Sequence, residues 1–307
     1  MAKRNSPKIL ILGSNGYIGR HLRLRLLELN YRYTLGDFQK QSIDEDENYV
    51  QIDVLDKIGL NELLPSHDIV FCMAGLTGTL QGFSDYVRFI EVNEIGLLNC
   101  LDVIRTQGLE TKVILPSTRL VYRGQKGQPL KEDAETEFKT IYAMNKYACE
   151  KYLEMYRNVF GLTYAVFRIC VPYGNELGDE YSYGTLGQMF NQANTDKKIT
   201  VYGDGSQRRS LMHITDLTSA LLHGALSDAT NNDIFNISGP DTLSIAEIAE
   251  AVATLFGIEV EYGEWPTNLA NIESGDTMFD TTKFERAAGV LYRRDFQSWL
   301  DAISKKP

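Results

Sequence analysis

The chain has 307 residues, of which 43% are hydrophobic and 23% charged, and a formal net charge of −10. That length can bury a sizeable core, and the composition is that of a soluble globular protein, neither disordered nor fibrous. An acidic total disfavours broad contact with a phosphate backbone, so no nucleic-acid partner is expected, although a few cations and a helix N-terminus can still hold one anionic small molecule.

Cys72, Cys100, Cys149 and Cys170 are far apart and mostly within apolar runs. Neither a zinc spacing nor a disulfide framework is visible, so no metal is expected and a reduced, cytoplasmic location fits. The apolar run Lys8–Leu12 is too short for a signal-peptide core and reads as a strand. No stretch reaches membrane-spanning length, and no membrane partner is expected.

Short apolar runs at Ile9–Leu12, Tyr33–Leu35, Val50–Ile52 and Ile69–Met73 alternate with segments of helical period, the first being Tyr17–Leu29. A long amphipathic segment follows at Tyr86–Arg105, then a strand at Val113–Leu115, a helix at Ile141–Val159 and a strand at Tyr164–Ile169. This order predicts an α/β fold, a doubly wound parallel sheet with helices on both faces. The acidic run Asp44–Glu47 reads as a solvated loop. Beyond Pro172 the loops lengthen and glycines multiply, with helices expected at Thr215–Leu226 and Ser244–Leu255 and a strand at Ile234–Ile237 returning to the main sheet.

Strand Ile9–Leu12 runs into Gly13-Ser14-Asn15-Gly16-Tyr17-Ile18-Gly19 and then an amphipathic helix. Glycines there permit a tight turn and close approach to a pyrophosphate, while the helix N-terminus offers unpaired N–H groups. The sheet is therefore Rossmann-like, with residues 1–171 as the NAD(P)-binding domain. Residues 172–307 are mainly a substrate-binding region, apart from a return to the sheet near 207–237. Asp37, 18 positions after Gly19, suits the adenosine ribose and points to NAD, with Lys40 leaving NADP open. Asp53-Val54 and Ala74-Gly75 follow successive strands, where such a sheet binds its ligand.

Tyr142 and Lys146 are four residues apart and share one face of a helix. A free phenol titrates near ~10, and a fixed cation beside it favours the phenolate, which allows proton exchange with an alcohol. Together with the glycine motif and Ser117-Thr118-Arg119-Leu120-Val121-Tyr122, this pair closely resembles the extended short-chain dehydrogenase/reductases, specifically the nucleotide-sugar epimerase/dehydratase group.

The resemblance implies that Thr118 bonds the reacting sugar hydroxyl, Tyr142 is the acid/base and Lys146 holds the nicotinamide ribose. It implies that Asn93 supports the site, and that Arg209, within Val201–Asp216, grips the substrate diphosphate, with Arg208 as its neighbour and rival. Thr77, Tyr173, Ser182 and Tyr183 are further candidates to line the substrate pocket. Two departures matter. Val171 stands where the group often has an Asn that touches the substrate phosphates, and Arg119-Leu120 replaces the Asp-Glu that dehydratases carry after the Thr, so sugar dehydration is not expected.

The resemblance thus implies an NAD-dependent 4-epimerase of a nucleotide-diphosphate sugar. An NAD(P)H-dependent 4-ketoreductase uses the same three residues, and a non-catalytic dinucleotide-binding scaffold is the reading from another class. It also implies a homodimer paired through Tyr86–Arg105 and Ile141–Val159.

Overall fold

A strand that is apolar at every position has no face to offer to water and must be covered on both sides. Ile9, Leu10, Ile11 and Leu12 are such a run, and all four are buried between parallel neighbours, Arg32–Asp37 on one side and Ile69–Cys72 on the other. The computed structural model describes residues 6–178, 183–289 and 292–305, so the candidate Ser182 lies outside the described residues.

Seven strands form the main sheet in the order Ile234–Ile237, Tyr164–Ile169, Lys112–Thr118, Ile69–Cys72, Lys8–Leu12, Arg32–Asp37, Tyr49–Gln51. Every pairing among them is parallel, which is the doubly wound sheet the alternation predicted. The order reverses between Lys8–Leu12 and Ile69–Cys72, so a crevice opens at their carboxyl ends. One face is covered by Leu22 and Leu26 of helix Tyr17–Glu28 and by Leu217 and Leu221 of helix Ile214–Leu226. Leu97, Leu101 and Ile104 of helix Gly96–Gln107 cover the other, with Cys149 and Leu153 of helix Ile141–Phe160.

A third cluster, with Val171, Tyr173, Phe190, Val201, Leu211, Val252 and Trp299, forms the core of the later part of the chain. It is built around a small sheet of Val171–Tyr173, Arg208–His213 and Thr242–Ser244 and a parallel pair, Lys198–Tyr202 with Glu259–Gly263. Helix Ile214–Leu226 and strand Ile234–Ile237 pack with the main sheet instead. The four cysteines are buried and free. Among the described residues no helix is long and apolar enough to cross a membrane, and no cluster of His, Cys, Asp and Glu could hold a metal ion.

Two expectations need correction. The segment Tyr86–Arg105 is not one α-helix: Tyr86–Ile90 is α-helical, Glu91–Ile95 is a π turn, and the α-helix resumes at Gly96–Gln107. The wider turn brings the Asn93 side chain inward, where it receives the Leu76 N–H (2.7 Å) and donates to the Leu76 carbonyl (3.1 Å). Nor is Asp44–Glu47 simply a solvated loop. Asp44 pairs with Arg20 (2.7 Å), while Asp46 pairs with Arg23 (2.6 Å) and accepts the Tyr33 phenol (2.9 Å), so the loop ties helix Tyr17–Glu28 to the sheet edge.

Beneath the carboxyl ends of the strands lies a buried ion pair. Glu150, one turn after Lys146, receives Nε and Nη2 of Arg168 (3.0 and 2.6 Å) and the Ser117 hydroxyl. Burial works against the Arg168 charge, yet the Glu150 carboxylate holds its pKa above the ordinary value, and the guanidinium also lies 4.7 Å from the centre of the Tyr122 ring. Glu150→Ala strands that cation away from water and is expected to cost about 3–5 kcal/mol, read as a lower urea midpoint. An unchanged midpoint would show that the pair contributes nothing to the fold.

Candidate active site

Gly13 has φ +87°, and the Gly13 and Ser14 N–H groups both donate to the Gly36 carbonyl (2.8 and 3.1 Å). A Cβ on Gly13 would stand 2.4 Å from the Ala74 nitrogen, and one on Gly19 would stand 2.5 Å from the Gly13 carbonyl oxygen. Neither position admits a side chain without moving backbone, so the turn keeps its strand, its helix and the Ala74 loop in close contact. Helix Tyr17–Glu28 begins at Gly16 with no side-chain cap, which leaves its first N–H groups for a ligand. Ser14 Oγ is buried in the same turn with no hydrogen-bond partner among the described residues.

Two cavities meet at Gly13, Gly16, Met73 and Gly75 and form one groove across the strand ends. The outer part is lined by Asn15, Asp37, Phe38, Gln39, Asp53, Val54 and Ala74. Asp37 is the last residue of its strand and is buried, accepting the N–H groups of Asn15 (3.1 Å) and Gln39 (3.3 Å). A carboxylate there suits a ribose diol and repels a 2′-phosphate, whereas Lys40 is exposed and does not line the groove. Arg88 also lines this part and was missed, because its helix carries no motif of its own. The uncapped helix, the orphaned Ser14 hydroxyl and Asp37 together fit a dinucleotide.

The inner part is lined by Tyr17, Ile18, Gly19, Thr77, Thr118, Tyr142, Lys146 and Tyr183. Thr118 ends strand Lys112–Thr118, and helix Ile141–Phe160, capped by the Thr140 hydroxyl on Ala143 N (3.1 Å), presents Tyr142 and Lys146 to the same space. Lys146 is buried and donates to the Pro116 carbonyl (2.9 Å). Tyr17 and Tyr183 stack with ring centres 4.4 Å apart, and the Tyr17 phenol donates to the Gly174 carbonyl (2.6 Å), closing one wall. Asn93 does not line this part; it holds Leu76, which lines the outer part of the groove.

The protonation state differs from the sequence expectation. Burial pushes the Tyr142 phenol above its ordinary pKa, Tyr183 adds to the shift, and a hydrogen bond with the Thr118 side chain opposes it. Burial lowers Lys146. Desolvation thus outweighs any pull from the lysine, whose ammonium is turned to the Pro116 carbonyl, and the protein's own groups keep Tyr142 protonated near neutral pH.

A further cavity lies in the later part of the chain, lined among others by Thr79, Arg119, Gln188, Gln207, Arg209, Trp265 and Glu273. It adjoins the reaction centre along three chain segments, from Thr77 to Thr79, Thr118 to Arg119 and Tyr183 to Thr185. Arg209 faces it, paired with Glu273 and donating to the Gly275 carbonyl. Arg208 turns to the other face of the strand, toward the Thr242 carbonyl (2.6 Å) and Glu247 (3.6 Å), so that of the two arginines it is Arg209 that lines this cavity. Sequence reading missed Glu273 and Trp265, more than 50 residues further along the chain with no spacing rule to link them.

Tyr173 is not a pocket residue. It is fully buried among His213, Phe296 and Trp299, with ring centres 5.1–5.3 Å away, and its phenol donates to the Arg294 carbonyl (3.4 Å). Val171 is buried in the same cluster and offers no polar group to a ligand.

The chain belongs to the NAD dependent epimerase/dehydratase family, whose model matches residues 9–238. Members are NAD-dependent nucleotide-sugar epimerases, decarboxylases, dehydratases and reductases. The UDP-N-acetyl-alpha-D-glucosaminuronate decarboxylase of Bacillus cytotoxicus is 30% identical over 261 residues, covering 81% of this chain and 80% of that protein. A putative UDP-glucose 4-epimerase of Methanocaldococcus jannaschii is 25% identical over 259 residues, covering 82% and 84%. The crystal structure of the UDP-glucose 4-epimerase of Thermotoga maritima with UDP-glucose has the same fold, with a TM-score of 0.85 over 97% of both chains at 22% identity.

Tyr142→Phe removes the phenol that shares a helix with Lys146 and a hydrogen bond with the Thr118 side chain. Turnover is expected to fall by about 10²–10⁴-fold while the dinucleotide still binds, measured by product formation and by cofactor fluorescence. Undiminished turnover would remove Tyr142 from the chemistry.

Proposed function

We propose that this protein is an NAD-dependent 4-epimerase of a nucleotide-diphosphate sugar. The observation that carries the reading is the composition of the reaction centre: Thr118, Tyr142 and Lys146 share one cavity, and among the described residues no Asp or Glu lines it. Such a site can move a proton on and off a sugar hydroxyl, and its described residues supply no carboxylate to help a second group leave. The fold of the epimerase neighbour and the name of the archaeal relative agree with it.

In this reading Thr118 holds the 4-hydroxyl and orients Tyr142, which first loses its own proton to solvent under the positive charge that a bound oxidised nicotinamide would add, and as phenolate takes the hydroxyl proton. Lys146 orients the nicotinamide ribose. Bound NAD would supply the acceptor for a hydride from C4 and, once the 4-keto sugar has turned over in the site, the donor that returns it to the other face. Tyr142 then gives the proton back, and the stacked pair Tyr17–Tyr183 keeps water from the reacting centre. A 4-ketoreductase consuming NAD(P)H is the second reading, favoured by Val171, which offers no amide to substrate phosphates; Asp37 disfavours NADPH.

The deciding measurement is the fate of the cofactor. Denatured protein is expected to release NAD, and fresh enzyme to exchange 4-epimers of a UDP- or dTDP-hexose with no added NAD(P)H. Protein that releases no dinucleotide and acts on 4-keto sugars only when NADPH is supplied would establish the reductase instead.

The proposed homodimer rests on apolar side chains that the fold leaves uncovered. Tyr86, Val87 and Ile90 on one helix and Met144, Met155, Val159 and Phe160 on another are between 39% and 64% exposed. Light scattering at micromolar concentration is expected to give twice the chain mass, and a monomer would refute the pairing.

A further inference from the structure

Arg119 opens the short helical turn Arg119–Val121 directly after Thr118 and lines the cavity that adjoins the reaction centre. Its Nη1 donates to two neutral hydroxyls, Ser274 Oγ and Thr277 Oγ1, each at 3.2 Å. Its Nε and Nη2 bond no described residue. The buried arginines Arg168 and Arg209 have a carboxylate each, Glu150 and Glu273, and so do Arg20 and Arg23, half-buried like Arg119, in Asp44 and Asp46.

Arg119 has none of its own. Burial and the like charge of Arg209 push its pKa down to about 9, and Glu273, the nearby anion, is already engaged by Arg209 and by the Gly275 N–H (2.9 Å). Among the described residues two cations and one anion therefore line this cavity, a surplus of one positive charge next to Thr118. A fork with two free donors matches a carboxylate, which accepts them side by side. In a hexopyranose the carbon next to C4 is C5, whose substituent can be oxidised to a carboxylate, whereas the diphosphate on C1 lies across the ring and falls to Arg209.

We propose that Arg119 binds a carboxylate carried by the sugar itself, so that the substrate is a nucleotide-linked uronic acid. This rests on the nucleotide-sugar reading of the site. It makes Arg119 a specificity-determining residue, distinct from the proton-transfer group.

The test is calorimetric titration of the NAD-loaded enzyme with UDP, UDP-glucose and UDP-glucuronic acid, and then with the dTDP series, for the natural chain and for Arg119→Gln. In one series the natural chain is expected to bind the uronate about ten- to a hundredfold more tightly than the neutral sugar, the value of a charge-assisted bond. Arg119→Gln should abolish that preference and leave the neutral sugar unchanged. Equal affinity for uronate and hexose in the natural chain overturns the proposal without need of any variant, as does a variant that weakens UDP or dTDP alone, which would give Arg119 to the diphosphate. In either case 4-epimer exchange on a neutral sugar would leave the nucleotide-sugar reading intact. If no nucleotide sugar of either series binds, that reading fails, and this proposal with it.

Discussion

Everything at the reaction centre hangs on one buried carboxylate. Glu150 joins three elements that arrive from distant parts of the chain: its own helix, the strand that ends in Thr118 through Ser117, and the neighbouring strand through Arg168. A helix on a sheet can slide along its apolar contacts with little penalty, because the hydrophobic effect has no direction. A bidentate ion pair does have direction, and it fixes the helix that carries Tyr142 and Lys146 against the strand that carries Thr118. Arg168 also donates to the Glu132 carbonyl (2.9 Å), so the loop between that strand and that helix is held by the same group.

How much of this was legible in the sequence depended on the range of the interactions. Strands such as Tyr164–Ile169 and Ile234–Ile237 have the limits that their apolar runs announce, because burial on both faces leaves a local signature. The glycine turn and the Tyr142–Lys146 pair were legible for the same reason, being set by spacings of a few residues. Tyr173 misled because its neighbours Pro172 and Gly174 suggested a loop, while its partners Phe296 and Trp299 come from more than 120 residues later. Asp44 and Asp46 misled in the opposite sense: a run of acids reads as solvated unless the arginines of the preceding helix are known to turn toward it.

The proton affinity of Tyr142 was the least legible quantity, because it is a balance of environment and not a property of spacing. Sequence places a cation one turn away; only the fold shows that the cation is bound to the Pro116 carbonyl and that desolvation prevails. The same logic separates the arginines. Arg209 is paired with Glu273, while Arg119, one residue beyond the threonine of the reaction centre, has only the Ser274 and Thr277 hydroxyls as hydrogen-bond partners among the described residues.

The π turn at Glu91–Ile95 amounts to one residue more than a regular helix would hold there. Each residue of an α-helix turns the chain by about 100°, so losing that one residue would straighten the helix and swing Asn93 away from Leu76, although every neighbouring side chain could stay the same. The segment therefore resists shortening by even one position while tolerating substitution along its outer face.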